Sequence, residues 1–245
     1  MKNIFLFLII LINFNNIYSQ NVEKLKEYEY FIETRNYEKN WIRKYILKDG
    51  LNYKIQDIHN EQGLTNEFEF FYDEKLNVIK ETLKIGMSGG KYDPIIINHK
   101  LTYKNNNLIS KESEAIAWLY IYSNFNESNK PQVIESSGKL KQTKELIKYD
   151  LNGNILKRTE ITYNSGTKDI EKTEVTSYKY EHYDNVIEIH RSSTPKIEYP
   201  IIMIGGPNLY ENEFYTYEYN KNGLWTKKIC LINENESYIW KREYK

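Results

Sequence analysis

The chain of 245 residues carries 34 basic and 34 acidic side chains, so its formal net charge is zero. A balanced charge gives no electrostatic reason to bind nucleic acid or anionic lipid, and we expect no nucleic-acid partner. Cys230 has no second cysteine with which to form an intramolecular disulfide, and its apolar neighbours predict a buried, unreactive thiol.

The first predicted element is an amino-terminal export signal. Lys2 precedes an apolar run from Ile4 to Ile12, and a polar stretch ends at Ser19. This order is typical of a secretory signal peptide, and the run is shorter than the roughly 20 residues that span a bilayer. We predict cleavage after Ser19, which divides the chain into a signal peptide, residues 1–19, and a single domain, residues 20–245. An uncleaved membrane anchor is the alternative.

The expected destination is the periplasm or the extracellular space. No cysteine lies near the cleavage point, so the mature protein is expected to have no lipid anchor. It is also expected to be soluble, with no membrane insertion after the signal peptide has been removed.

The next two segments are residues 22–38, whose secondary structure is undecided, and residues 40–55, which form a predicted hairpin. Residues 22–38 fit either a short helix or another strand. Residues 40–47 and 51–55 are predicted strands joined by a tight turn at Asp49-Gly50, because Asp-Gly accepts the positive φ that such a turn needs.

From residue 72 onward the chain repeats one hairpin pattern. An aromatic-rich strand runs into a turn of Asn, Asp and Gly, residues that accept positive φ, and a strand opening with apolar residues leaves it. The repeat residues are Tyr72 with Asp73, Tyr103, Tyr149 with Asp150 and Gly153, Tyr180, and Tyr219 with Asn220 and Gly223. The pattern predicts an all-β fold, an antiparallel meander of repeated hairpins forming an open twisted or partly curled sheet. Closure, a covering helix and a dimer are left open, and a monomer is expected.

Two of these turns carry a resemblance to a known family. Tyr149-Asp150-Leu151-Asn152-Gly153 and Tyr219-Asn220-Lys221-Asn222-Gly223 resemble the YD repeats of Rhs-type proteins, and more closely the degenerate YD-like hairpin arrays of exported Bacteroidetes proteins. The resemblance covers residues from about 42 to 245 and implies hairpin geometry, not an activity. Rhs repeats coil into a shell enclosing a toxin. Here the repeats are longer and less regular and no toxin domain follows Lys245, so the implied sheet is open or partly curled.

Two long connections are the candidate binding site. If the repeat turns share one edge of the sheet, the alternate connections lie on the opposite edge. Two of these combine proline with an apolar run that lacks alternation, and the candidate binding residues are Tyr92, Ile95, Ile96, Tyr199, Ile201, Ile202 and Met203. They form either a buried plug that closes the core or a partner-binding edge.

The aromatic side chains suggest a second kind of site. Tryptophan and tyrosine rings could stack on sugars, but cross-strand aromatic ladders also stabilise a thin sheet and are the favoured interpretation. The tryptophans are Trp41, Trp118, Trp225 and Trp240.

Residue patterns that carry catalysis are missing from the sequence. The four histidines, His59, His99, His182 and His190, have no metal-ligand spacing, and no nucleophile elbow or phosphate loop occurs. We therefore expect no catalytic residues, no metal and no cofactor. The expected function is a non-enzymatic binding or structural module at the cell envelope, with an envelope protein or a glycan as partner. A carbohydrate-binding protein and an envelope hydrolase are the alternatives.

Overall fold

The computed structural model describes residues 24–31, 39–48, 51–59, 63–74, 77–85, 95–113, 117–138, 141–164, 166–202 and 207–244. The predicted signal peptide lies outside these residues, so its cleavage stays a prediction. Within the described part of the chain the regular elements are all strands, which confirms the predicted all-β class.

Sixteen strands follow one another along the described residues. They are β1 (Lys24–Phe31), β2 (Lys39–Lys48), β3 (Leu51–His59), β4 (Gly63–Tyr72), β5 (Val78–Ile85), β6 (Ile95–Lys104), β7 (Asn107–Ser113), β8 (Trp118–Phe125), β9 (Pro131–Ser137), β10 (Gln142–Tyr149), β11 (Ile155–Tyr163), β12 (Ile170–Tyr180), β13 (Val186–Thr194), β14 (Asn212–Tyr219), β15 (Trp225–Ile232) and β16 (Asn235–Tyr244). The predicted hairpin at residues 40–55 is β2 and β3. The undecided segment 22–38 contains a strand, β1.

The strands form one antiparallel meander, as predicted. Each strand pairs with the next along the chain, and β1 pairs with β2 on one side and with β16 on the other. Leu25, for example, is the register partner of both Tyr45 and Tyr244. The sequence predicted an open twisted sheet or a partly curled one. The structure is closer to the curled form, because the first and last described strands pair with each other.

The two faces of the sheet differ in exposure. Tyr45, Glu145 and Cys230 share one face through the strand register and are 1%, 4% and 2% exposed. Leu146 and Phe214 point to the other face and are 40% and 39% exposed. Side chains converge on the concave side of a closed sheet and diverge on the convex side, so the first face is the inner one.

The outer face carries ion pairs in the middle of its strands. Lys54 on β3 lies 2.8 Å from Glu69 on β4. Lys84 on β5 lies 3.0 Å from Glu67, which is also on β4. These ion pairs join β3, β4 and β5, and Glu67 at their centre is 6% exposed. None of the described residues forms a helix long and apolar enough to cross a membrane.

The repeat turns that begin at Asp73, Asp150 and Asn220 share one hydrogen-bond pattern. In the turn after β10, the Asp150 carboxylate accepts a bond from the backbone N–H of Asn154 at 2.7 Å, and Gly153 has a φ of +83°. Asn220 occupies the same position in the turn after β14, where Gly223 has a φ of +74°. A side chain with a Cβ is strained at this φ, which explains glycine at the fourth turn position.

Tyrosines tie neighbouring hairpins together at the turn rim, the end of the sheet where these turns lie. At five strand ends a tyrosine hydroxyl donates a hydrogen bond to the carbonyl near the start of the preceding strand, a contact that we call a tyrosine clasp. The clasps join Tyr72 to Asn52 at 2.5 Å, Tyr149 to Pro131 at 2.9 Å, Tyr180 to Ile155 at 2.9 Å, Tyr217 to Val186 at 2.8 Å and Tyr244 to Trp225 at 2.6 Å. Each clasp therefore ties one strand to the start of the strand before it.

The opposite end of the sheet is the loop rim, because strand direction alternates around the meander. It carries the connection between β5 and β6 and the connection between β13 and β14, residues 195–211. These two connections are separated by eight strands of the sixteen-stranded ring, so they lie on opposite sides of it.

Candidate functional site: the loop rim and the inner face beneath it

The connection between β13 and β14 is a folded loop. Ile201 and Leu209 pair as an antiparallel bridge, with backbone N–H to carbonyl distances of 2.8 and 3.0 Å. At the base of the loop the Arg191 N–H donates to the Glu211 carbonyl at 2.7 Å. The described residues of this connection, 195–202 and 207–211, which we call loop 195–211, therefore contain a short antiparallel pair that continues from β13 and β14.

A buried ion pair fixes the end of this loop. The Arg191 guanidinium contacts both carboxylate oxygens of Glu213, at 2.5 and 3.2 Å, and donates to the Tyr210 carbonyl at 2.6 Å. Glu213 is 4% exposed and also accepts a bond from the Tyr210 N–H at 3.1 Å. An ion pair with its remaining hydrogen bonds satisfied can be buried at tolerable cost, so it holds the chain in one geometry here.

The loop also reaches the inner face of a more distant strand. The N–H of Asn208 donates to the hydroxyl of Tyr238 at 3.1 Å, and Tyr238, on β16, is 3% exposed. Asn208 thus reaches the inner side of the ring at the loop rim.

The candidate binding residues are dispersed. Tyr199 and Ile201 are half-buried residues of loop 195–211, whereas Ile202 in the same loop is 79% exposed. Ile95 begins β6, and Ile96 follows it on the outer face with 51% exposure. Tyr92 and Met203 lie outside the described residues. Because the two apolar runs stand on opposite sides of the ring, the structure does not bring them together into one patch.

The repeat residues have structural positions at the turn rim. Tyr72 and Tyr149 are clasp tyrosines, and the Asp73 side chain accepts from the N–H of Asn77 at 2.9 Å, as Asp150 does in its own turn. Tyr103 precedes a two-residue turn at Asn105 and Asn106, with φ values of +51° and +63°. The hydroxyl of Tyr219 bonds to Glu181 of the neighbouring turn.

Charged side chains form two rows on the inner face beneath the loop. Arg158, Thr176 and Arg191 are register partners across β11, β12 and β13. Glu160 and Glu174 are partners two residues further toward the loop rim. A concavity of about 130 Å³ lies between these rows and the loop.

The rows belong to a wider set of inner ion pairs. Arg158 lies 2.7 Å from Glu145 and 3.7 Å from Glu160, and Lys141 lies 3.2 Å from Glu160. Burial raises the pKa of Glu145, and the Arg158 charge opposes that rise. The Nε of Arg158 is buried and has no hydrogen-bond partner among the residues that the structure describes. The inner face can therefore offer both donors and acceptors to a small polar molecule.

The tryptophan rings on the inner face are largely covered. Lys228 lies over the Trp240 ring at 4.7 Å, and Arg242 lies over the Trp225 ring at 3.7 Å. Trp118 has Gly138 against its ring, since a Cβ on this glycine would come within 2.7 Å of the indole. The side chain of Trp41 is outside the described part. These contacts fit the ladder interpretation, in which aromatic residues stabilise the sheet.

The remaining reactive side chains are separated from one another. His99 is 6% exposed on the inner face, and its burial, with the Lys111 charge nearby, lowers its pKa to about 4. His190 is on the outer face beside Glu188. Burial raises the pKa of the Cys230 thiol to about 12. Within the described residues no three His, Cys, Asp or Glu side chains are grouped to hold a metal ion.

The inner charged rows were missed by the sequence analysis. The signal was present as period-2 alternation, since Arg158 and Glu160, or Glu174 and Thr176, must share a face. Both faces of these strands are polar in sequence, so only the closure of the sheet identifies the inner one.

Comparisons with known proteins give a likeness of shape. No protein-family model matches the chain, and no curated protein matches it. A porin-like protein from Bacteroides uniformis has 12% sequence identity and a TM-score of 0.42, with 92% of this chain and 98% of that chain covered.

Two toxin structures also match. The TcdB2-TccC3-TEV structure has 13% identity and a TM-score of 0.26, and the Photorhabdus luminescens Tc holotoxin pore has 11% identity and a TM-score of 0.20. Each match covers 81% of this chain but 14% of the toxin chain.

Proposed function

We propose that this chain is an exported, non-enzymatic protein of the cell envelope that binds an envelope protein or a glycan at its loop rim. The observation that supports this most is the loop 195–211. It is fixed at its base by the Arg191 and Glu213 pair, yet it presents Ile202 with 79% exposure. A rigid loop that exposes an apolar side chain is a typical recognition element.

The contrast between the two rims supports the same assignment. At the turn rim, side chains close the described turns and form the tyrosine clasps, which are structural tasks. At the loop rim the connection between β13 and β14 is longer than any of the described turns at the turn rim, and it presents Ile202 to solvent. The closed sheet then acts as a frame that holds the loops in place.

The repeats support membership of the YD-like hairpin arrays. The Asp150 and Asn220 turns have the same hydrogen bonds, and each follows a tyrosine at the end of its strand. We propose that the chain is a short, closed variant of such an array, secreted by a signal peptide at residues 1–19, soluble after cleavage and monomeric.

The two alternative functions receive less support. Sugar binding on tryptophan needs an open ring face, and the rings of Trp225 and Trp240 carry Arg242 and Lys228 instead. A hydrolase needs paired acids that are free to act on a substrate, whereas Glu145 contacts Arg158, Glu160 contacts Lys141 and Glu174 contacts Lys172. A binding role is therefore favoured over both.

A retention experiment tests the proposal. The mature chain is immobilised beside two variants, Ile202→Ser at the loop rim and Leu151→Ser at the turn rim, where Leu151 is 103% exposed. Both changes remove an aliphatic side chain that is mostly exposed, so both variants are expected to fold. We expect a component of the envelope extract to bind the mature chain and Leu151→Ser and to be lost from Ile202→Ser. Equal retention by all three would contradict binding at loop 195–211.

A further inference from the structure

We propose that the concavity beneath loop 195–211 binds a small zwitterion, with its carboxylate on the Arg158–Thr176–Arg191 row and its ammonium on the Glu160–Glu174 row. This site is separate from the exposed partner surface proposed above. It lies on the inner face, whereas Ile202 points away from it into solvent.

The first argument is the order of charges. Arg158, Thr176 and Arg191 offer two guanidinium groups and a hydroxyl in one cross-strand row. The next inward-facing row has the carboxylates of Glu160 and Glu174. Two residues along a strand correspond to roughly 7 Å, which is about the reach of a fully extended two-residue chain.

The second argument is the charge balance of the region. Four cations face four anions in contacting pairs, so the net charge of the cluster is 4 − 4 = 0. The cations are Lys141, Arg158, Lys172 and Arg191, and the anions are Glu145, Glu160, Glu174 and Glu213. Adding a net anion or a net cation to a half-buried neutral cluster leaves one charge uncompensated. A zwitterion adds none, and each of its ends meets the opposite charge.

The third argument is the unused hydrogen-bonding capacity. The Nε of Arg158 is buried without a partner, although a buried donor normally has one. An arginine has five donors and a carboxylate about four acceptor positions, so the existing ion pairs do not exhaust either row. A ligand carboxylate beside Arg158 would satisfy the Nε.

The size and walls of the concavity set the ligand class. A volume of about 130 Å³ is close to that of a cavity that takes up one benzene-sized ligand. Tyr199, Ile201 and Leu209 from the loop form its roof, which gives an apolar lid over a polar floor. A dipeptide with small side chains, or an ω-amino acid of similar length, matches this volume and the row spacing.

The test uses three probes that differ only at their ends. Glycylglycine has both charges, N-acetylglycylglycine has only the carboxylate, and glycylglycine amide has only the ammonium. Isothermal titration with the purified chain is expected to show saturable binding of glycylglycine and at least tenfold weaker binding of the two blocked probes. Equal binding of a blocked probe, or no saturable binding of glycylglycine at millimolar concentration, would overturn the proposal.

Two variants locate the site. Glu174→Gln removes one ammonium partner and Thr176→Val removes one carboxylate donor at nearly constant volume. Each is expected to weaken glycylglycine binding about tenfold, which corresponds to the loss of about one charge-assisted contact. The matched control is Glu188→Gln, the same exchange on the outer face of the adjacent strand β13, and it is expected to bind as the unaltered chain does.

The readouts remain separable. If Glu174→Gln fails to fold, the three-probe comparison on the unaltered chain and the Thr176→Val variant still decide the question. Unchanged affinity in a folded Glu174→Gln variant would refute the assigned ammonium site. Retention of the loop-rim partner by the same variants reports on the proposed function independently.

Discussion

Removing a tyrosine clasp by Tyr180→Phe is expected to lower the free energy of unfolding by about 1 kcal/mol. The phenol donates to the Ile155 carbonyl at 2.9 Å and is half-buried. The change deletes one hydroxyl and leaves the ring, so no packing cavity of consequence is created. A net hydrogen bond contributes roughly 0.5–1.5 kcal/mol, and the Ile155 carbonyl keeps some access to water.

A triple variant enlarges the effect. Tyr72, Tyr180 and Tyr244 are at least four strands apart around the ring, a separation of at least about 19 Å along the sheet. Contributions at such distances add, so replacing all three with phenylalanine is expected to cost about 3 kcal/mol. The assay is equilibrium unfolding in urea, followed by tryptophan emission.

The control is Tyr53→Phe, because Tyr53 is 48% exposed and makes no clasp. We expect its midpoint to equal that of the unaltered chain. If the triple variant loses no more than the Tyr53→Phe control, the clasps do not stabilise the turn rim and the reasoning is refuted.

Three further predictions concern single side chains. The Cys230 thiol is 2% exposed, and burial raises its pKa to about 12. It should therefore not react with a thiol reagent at pH 8 until urea unfolds the chain. Rapid reaction of the folded chain would contradict its burial. The pKa of His99 is lowered from 6.5 to about 4, so the unfolded chain takes up a proton first and stability should fall by about 3 kcal/mol between pH 6.5 and 4. This slope should be reduced in His99→Gln, and an unchanged slope would assign it to other groups. Gly138→Ala places a Cβ 2.7 Å from the Trp118 ring and should cost about 1–3 kcal/mol in urea unfolding, whereas unchanged stability would mean that the ring moves freely.

The repeat turns were the most predictable part of the fold. Asn, Asp and Gly at fixed positions after an aromatic residue specify a local hydrogen-bond pattern, and local patterns can be read from sequence. One copy was overlooked. Asn126 accepts from the N–H of Lys130 at 2.8 Å and Asn129 has a φ of +57°, but asparagine in place of glycine concealed the turn.

Closure could not be predicted in the same way. It depends on pairing between β1 and β16, which lie at opposite ends of the chain, and no local pattern encodes that contact. Part of the candidate site could not be predicted for the same reason, because its inner face is defined only by the closure of the sheet. The apolar residue Ile202 was found because its run has no alternation, whereas Arg158 and Glu174 resembled solvated charges until the inner face was known.

The pairing of β1 with β16 supports the inner face, the two rims and the proposed pocket alike. In a Cys230→Ser background, Lys26→Cys and Glu243→Cys place cysteines at register partners of the two strands. Directly opposed residues of an antiparallel pair lie about 4.5–5.5 Å apart at Cα, within the range of a disulfide. The control pairs Lys26→Cys with Lys179→Cys on β12, which is not adjacent to β1.

The most direct measurement is the extent of disulfide formation in these two variants under mild oxidation, read by the mobility of the unreduced chain in denaturing gels. The closed sheet predicts nearly complete crosslinking of the Lys26 and Glu243 pair in the monomer, and none of the control pair. Equal, low crosslinking of both pairs would contradict the closed sheet, and with it the assignment of an inner face.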